Sequence, residues 1–205
     1  YMNTTLENYE VSRTKSLNSE PVQDVLLSVL KNAGVKVPDF KLPSGTEVVR
    51  HKLGDVTIFV MTRIPRADKN DSSKFKLVLP ESSTVYDVRN KTHKSEQKEI
   101  SGEIQPGDAK VFAVAPEALK DFEFNAEIKN GVISFSLAAD KNQPRVFHLE
   151  ILDDSGKCVR HYSRNFRVDG MKKDIVTLGI GEFHGKITIR ATDVITGESK
   201  EIQVK

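Results

Sequence analysis

The sequence predicts an all-β protein with a short N-terminal helical segment, built as two β-sandwich domains. Three observations lead there. From Val35 onward, short runs rich in Val, Ile, Phe and Thr alternate with turn clusters at intervals of about 8 to 12 residues, the spacing of sandwich strands. Within the later runs apolar and polar residues alternate: Ile133, Phe135 and Leu137 against Ser134 and Ser136, then Phe147, Leu149 and Ile151 against His148 and Glu150. Such alternation buries one face of a sheet and leaves the other in water. Before Val35, by contrast, the apolar period is that of a helix.

That helix is expected over Glu20 to Ala33. Asn18 or Ser19 can cap it, Pro21 fits a first turn, and Gly34 stands where a left-handed cap belongs. Val22, Val25, Leu26, Val29 and Leu30 form one apolar stripe, which should lie on the first sheet or on a preceding domain. An earlier helix over Thr4 to Ser12 would be short and frayed by its own propensity. Residues 1–34 thus form a helical lead-in.

The first sandwich, 35–116, has expected strands over Thr46 to Lys52, Val56 to Ile64, Phe75 to Leu79, Thr84 to Arg89, Glu96 to Ile104 and Lys110 to Ala115. Gly54-Asp55 and Pro106-Gly107-Asp108 supply turns. Residues 117–121 read as a linker. The second sandwich, 122–205, has seven expected strands: Phe122 to Ile128, Val132 to Ala138, Val146 to Leu152, Cys158 to Phe166, Lys172 to Leu178, Gly185 to Asp193 and Ser199 to Val204. Asn130-Gly131 is the composition of a two-residue type I′ hairpin.

Composition narrows the function. With 38% apolar and 29% charged residues the chain is globular, and 31 Lys+Arg against 29 Asp+Glu leave a net charge of +2. No basic stripe interleaved with aromatics marks a nucleic-acid binder. The most apolar run, Val25 to Leu30, falls far short of the roughly 20 residues that cross a bilayer, so no membrane insertion is expected. The single cysteine, Cys158, reads as a small half-buried residue. Tyr1 and the residues after it resemble the continuation of a longer chain.

The order Val48-Val49-Arg50, Gly54-Asp55, Leu79-Pro80, Val85-Tyr86-Asp87-Val88-Arg89, Pro106-Gly107-Asp108-Ala109-Lys110-Val111-Phe112-Ala113 and Pro116 resembles the β-sandwich that follows the catalytic barrel in bacterial β-galactosidase-like glycoside hydrolases. Leu152-Asp153-Asp154-Ser155-Gly156-Lys157 and Val159-Arg160-His161-Tyr162-Ser163-Arg164-Asn165 resemble the immunoglobulin-like tail domain of the same proteins. The resemblance implies a secreted, periplasmic or cell-surface accessory region, and an intramolecular partner, the upstream barrel. It carries over no catalytic residue, because the acid/base and nucleophile carboxylates of that family belong to the barrel.

Candidate chemistry within the chain is sparse. Glycoside hydrolysis needs two carboxylates about 5 to 9 Å apart in a cleft, whereas Asp153-Asp154 and the pair Asp68 and Asp71 fall in turn-like loops. The loop from Asp68 opens like a calcium loop but has Ser73 in place of the turn glycine and Leu79 in place of the closing Glu. His51, His93, His148, His161 and His184 lack metal-ligand spacing, although His148 and His161 could approach across neighbouring strands. A carbohydrate-binding module would stack sugars on exposed aromatics. There is no Trp, and Tyr86 and Tyr162 fall inside strand patterns. An adhesion or assembly module using a strand edge or the helix stripe is the third possibility. No catalytic, metal or cofactor residue is assigned, and no cofactor is expected.

Overall fold

The computed structural model describes residues 20–34, 40–65, 72–183 and 185–204, with the side chains of 20–24 and 26 excepted. The expected helix over Thr4 to Ser12, the calcium-like residues 68–71 and His184 lie outside them. The described chain is mostly strand, as expected, with one α-helix, α1, over Glu20–Asn32. After α1 the N–H groups of Ala33 and Gly34 bond to the carbonyls of Val29 and Lys31, each at 3.0 Å, and Gly34 adopts φ 75°. A left-handed cap of this kind is open to glycine at no steric cost. Of the predicted stripe, Val25, Val29 and Leu30 are 54%, 45% and 41% exposed.

Six strands form the first sheet: β1 (Phe40–Lys41), β2 (Thr46–Leu53), β3 (Val56–Arg63), β4 (Lys74–Asp87), β5 (Thr92–Glu103) and β6 (Ala109–Ala115). Their order is β1-β4-β6-β3-β2, with β5 also paired to β4. One strand, β4, replaces the two predicted over Phe75 to Leu79 and Thr84 to Arg89. Pro80 suggests a break, yet a proline fits extended backbone wherever the ladder does not need its N–H. β4 pairs with β1 at Lys76 and Leu77 and with β6 from Thr84 to Asp87, so the proline falls between two paired stretches. β5 starts four residues before the expected Glu96 because the turn ahead of it is closed by Asp87. Its Oδ1 accepts the N–H groups of Arg89 and Asn90, and Lys91 reverses the chain at φ 55°.

Two further sheets follow. One is β11-β8-β7 and the other β10-β9-β12-β13, where β7 is Glu123–Lys129, β8 Val132–Ala138, β9 Arg145–Leu152, β10 Arg164–Val168, β11 Met171–Thr177, β12 Ile187–Asp193 and β13 Ser199–Val204. The number of strands is the predicted seven, six of them close to the predicted spans, and the Asn130-Gly131 turn has φ of 51° and 73°, both positive as a type I′ hairpin demands. The alternating residues read from the sequence, Ile133, Phe135, Leu137, Phe147, Leu149 and Ile151, share one buried core with Val176, Ile187 and Ile189. The strand expected over Cys158 to Phe166 is instead a bridge from Cys158 to Leu152, a 3-10 turn over Arg160–Tyr162, and then β10. A continuous strand would put Arg160, Tyr162 and Arg164 on one face. Tyr162 is buried while both arginines are exposed, and the 3-10 turn reconciles the two demands.

The outer edge of β11 is partly closed by the chain itself. The bonds from Ala139 N to Gly170 O and from Leu178 N to Gly131 O fix the even-numbered residues of β11 as those bonded to β8. Alternation then turns the N–H groups of Met171, Lys173, Ile175 and Thr177 to the open side. Met171 N bonds to Asp169 O at 3.1 Å, and Ile175 N to the Asp174 carboxylate at 2.8 Å.

By contacts the chain divides into two compact units, and the strands β2 to β6 each contribute to both. The first gathers the described residues up to Val49 with Val60–Ser82 and Gln97–Lys110. In it Met61, Phe75, Leu77, Leu79, Ile100 and Ile104 are buried, and the buried Arg63 donates to the carbonyls of Ser44 and Ile104 at 3.1 Å each. The second unit gathers Arg50–Phe59, Ser83–Glu96 and Val111–Lys205.

Candidate functional site

The densest polar organisation in the second unit surrounds Arg145 at the start of β9 and Asp193 at the end of β12. Both side chains are fully buried, and Arg145 Nη1 donates to Asp193 Oδ2 at 2.7 Å. The other oxygen, Oδ1, accepts from Ile195 N at 2.8 Å and Thr196 N at 3.4 Å, so the carboxylate also shapes the turn into β13. Arg145 Nε and Nη2 have no hydrogen-bond partner among the described residues, and its guanidinium lies 5.5 Å from the Phe147 ring centre. Phe147 in turn packs on Phe122 at 4.7 Å, with the Lys200 ammonium 5.0 Å from the Phe122 ring.

Around this centre the residues read as a linker are held one by one. Tyr86 Oη accepts Leu119 N at 2.7 Å, and Gln143 Oε1 accepts Lys120 N at 3.3 Å. Lys120 pairs with Asp140 and Lys200 with Asp121, each at 2.7 Å. The bond from Lys200 holds the Asp121 carboxyl below the usual carboxylate range, and the bond from Lys120 does the same to Asp140. Burial pushes the Tyr86 phenol up. The hairpin ends join in: Asp55 N bonds to Asn142 O at 3.2 Å, and Lys91 Nζ to Val194 O at 2.6 Å. A methyl group at Gly54 would meet Pro144 Cδ at 2.4 Å, and one at Gly197 would meet the Lys91 stem at 2.7 Å.

The residues singled out in the sequence take separate places. Asp153 Oδ1 accepts from Ser155 N, Ser155 Oγ and Lys157 N at 2.6 to 3.0 Å, which holds its carboxyl below the usual range, while Asp154 lies against Gly185. His148 Nδ1 meets Asn165 Oδ1 at 2.8 Å on the outer face of the four-stranded sheet. His161 Nε2 meets Glu182 Oε1 at 2.9 Å. Cys158 Sγ lies 3.4 Å from Ser163 Oγ. Tyr86 and Tyr162 are buried, so neither offers a ring to a sugar, and the exposed large apolar side chains among the described residues are all aliphatic. Among those residues no three His, Cys, Asp or Glu side chains gather as metal ligands.

Two features had no sequence counterpart. A shallow groove of about 470 Å³ runs over the outer face of β7, β8 and β11, with Ser134 and Ser136 as floor and Glu127, Lys173 and Ile175 among its walls. At the other, a single carboxylate closes a loop. Tyr162 Oη donates to Glu182 Oε2 at 2.5 Å and accepts Gly179 N at 2.7 Å, while His161 holds the second oxygen. Burial and the Glu182 bond raise the Tyr162 phenol. The turn sequence Asp193-Val194-Ile195-Thr196-Gly197 is a signal for Asp193; nothing marks Arg145 among 31 basic residues.

No protein-family model matches the chain, and no curated protein matches it. Among solved structures it is weakly similar to the Ruminococcus gnavus β-glucuronidase. The structure in complex with uronic isofagomine gives a TM-score of 0.27 at 10% identity over 86% of this chain and 40% of that one. A second structure of the enzyme gives 0.25 at 9% identity over 86% and 41%. The chain therefore spans about two fifths of the length of the solved glycoside hydrolase chains it is similar to.

Proposed function

We propose that this chain is a non-catalytic accessory region that supports and positions the catalytic barrel of a secreted glycoside-hydrolase-like protein acting in carbohydrate metabolism. The observation that carries this reading is the use made of the least exposed polar groups. Arg145, Asp193, Tyr86 and Gln143 close on one another or on backbone between Leu119 and Thr196. That arrangement stiffens a chain segment and fixes the hairpin ends 50–59 and 83–96 within the second unit. It presents no reactive group to solvent, and a positioning role asks for stiffness rather than for a reactive cleft. The motif resemblance to the β-galactosidase-like enzymes supplies the kind of partner.

The test is assay of the isolated chain on a panel of nitrophenyl glycosides. No turnover above that of a mock preparation is expected; turnover that copurifies with the chain and persists on a second affinity step would overturn the reading. A second reading, an assembly module, is favoured by the groove on β7, β8 and β11, whose wall carries the exposed Ile175. Micromolar hits on a glycan array would instead favour a carbohydrate-binding module.

A further inference from the structure

The two outer faces of the second unit's sandwich differ in how their polar side chains are used. On the four-stranded sheet they satisfy one another: His148 meets Asn165 at 2.8 Å, Arg190 meets Glu201 at 2.6 Å and Glu150 at 3.6 Å, and Thr192 meets Ser199 at 2.8 Å. On β7, β8 and β11 the register sets two rows across the sheet, one of Glu127, Ser134 and Ile175 and one of Asn125, Ser136 and Lys173. Because Ile133, Phe135 and Leu137 fill the core, alternation turns both rows outward. The polar side chains of these rows make no hydrogen bond or ion pair among the described residues. They border the groove of about 470 Å³ instead. Short serines on the middle strand and longer side chains on its neighbours make a trough, with walls about 10 Å apart at two strand spacings.

We propose that this groove binds a neutral pyranose sugar. Its volume lies in the range of small-molecule sites, about 300 to 1,000 Å³. The face is too small to seat a globular partner by itself. Three strands of seven residues span roughly 340 Å², under half of the about 800 Å² that each side of a stable interface buries. Charge narrows the ligand further, because Glu127 on one wall offsets Lys173 on the other and an anion would meet both. The hydrogen-bonding set is mixed: the carboxylate only accepts, the ammonium only donates, and Asn125, Ser134 and Ser136 do both. Vicinal ring hydroxyls, which donate and accept side by side, use such a set in full. Ile175, 56% exposed, offers an aliphatic patch to the C–H face of a ring. An extended peptide would find no backbone ladder on a floor of side chains. The inference goes beyond the accessory reading and stands without it.

The experiment is an amide chemical-shift titration of the full chain by NMR with methyl β-glucopyranoside and methyl β-galactopyranoside, with sorbitol as an open-chain control. Saturable shifts are expected in the two rows, with a Kd on the order of 1 to 10 mM for a ligand of this size that gains no aromatic stacking. Sorbitol is expected to give no saturation. Lys173→Met is expected to weaken binding about two- to ten-fold, the worth of one hydrogen bond. Ser136→Val, which fills the floor, is expected to abolish it; if either variant folds poorly, the other serves. No saturable shift with either pyranoside, saturation elsewhere on the chain, an equal response to sorbitol, or an unchanged Kd in both variants overturns the site. So do shifts in the same rows that follow protein concentration without sugar, which would assign the face to a second copy. Tighter saturation by triglycine would assign it to a peptide and overturn it too. Turnover of a nitrophenyl glycoside would overturn the accessory reading and leave this outcome unaffected.

Discussion

The buried pair Arg145 and Asp193 allows a quantitative test. Removing one member of a buried ion pair leaves an uncompensated charge and costs about 3 to 5 kcal/mol, whereas replacing both with groups of similar volume is often close to neutral. Arg145→Met keeps most of the volume and strands the Asp193 carboxylate with only the N–H groups of Ile195 and Thr196. Asp193→Asn keeps those two bonds and strands the arginine instead. Because Arg145 Nε and Nη2 lack partners among the described residues, the pair is incompletely satisfied there, so the double variant should recover most of either loss. In a unit of roughly 120 residues, about 4 °C of Tm accompanies each kcal/mol, so each single variant should melt on the order of 12 to 20 °C lower. Urea unfolding followed by circular dichroism gives the free energies, and the cycle gives the coupling, expected at about 2 kcal/mol or more. A Tm for Arg145→Met within about 3 °C of wild type, or losses that simply add in the double variant, would refute the reasoning.

Other outcomes are expected from the same unit. Tyr86→Phe removes the acceptor of Leu119 N and should cost about 1 to 3 kcal/mol by urea titration. Because the folded Tyr86 phenol is raised above its unfolded value, the stability it contributes is complete below about pH 10 and is lost as pH rises further. The Tyr86→Phe variant should therefore show a shallower alkaline decline in Tm. The carboxyls of Asp121, Asp140 and Asp153 are depressed in the fold, so their contribution is present above about pH 4 and fades as pH falls. Replacing Lys120 and Lys200 with Met should flatten the acid limb, which melting curves from pH 2.5 to 6 would register. Gly54→Ala, at φ 59° and with Pro144 in the way, should lower Tm clearly more than Gly131→Ala, where φ is 73° but the added methyl meets nothing.

Much of the fold was legible in the sequence because period two and turn chemistry are local signals. The strands β7, β8, β9, β11 and β13 came out within a residue or two, and Asn130-Gly131 named its turn type. β4 was misread because Pro80 is a local signal outvoted by pairing on both sides of it. The 3-10 turn at Arg160 was missed because the pull on Tyr162 comes from Gly179 and Glu182, 17 and 20 residues away. Contacts of this range carried most of the candidate site. Arg145 meets Asp193 across 48 positions, Tyr86 meets Leu119 across 33, and Lys91 meets Val194 across 103. Each of these residues also has an ordinary solvated reading, and only the register of the sheets chooses between them.

The partly sealed edge of β11 has a consequence beyond a single molecule. Sandwich domains strung on one polypeptide meet each other at effective concentrations in the millimolar range, where an open strand edge invites a neighbour to add itself and misassemble. On β11, two of the four outward N–H groups are already occupied by Asp169 and Asp174, and a lysine stands between them at 173. A neighbouring strand would have to displace those bonds and bury that charge before gaining any of its own. The edge is thereby a poor template for strand addition, whether by a second copy of this chain or by any other extended segment.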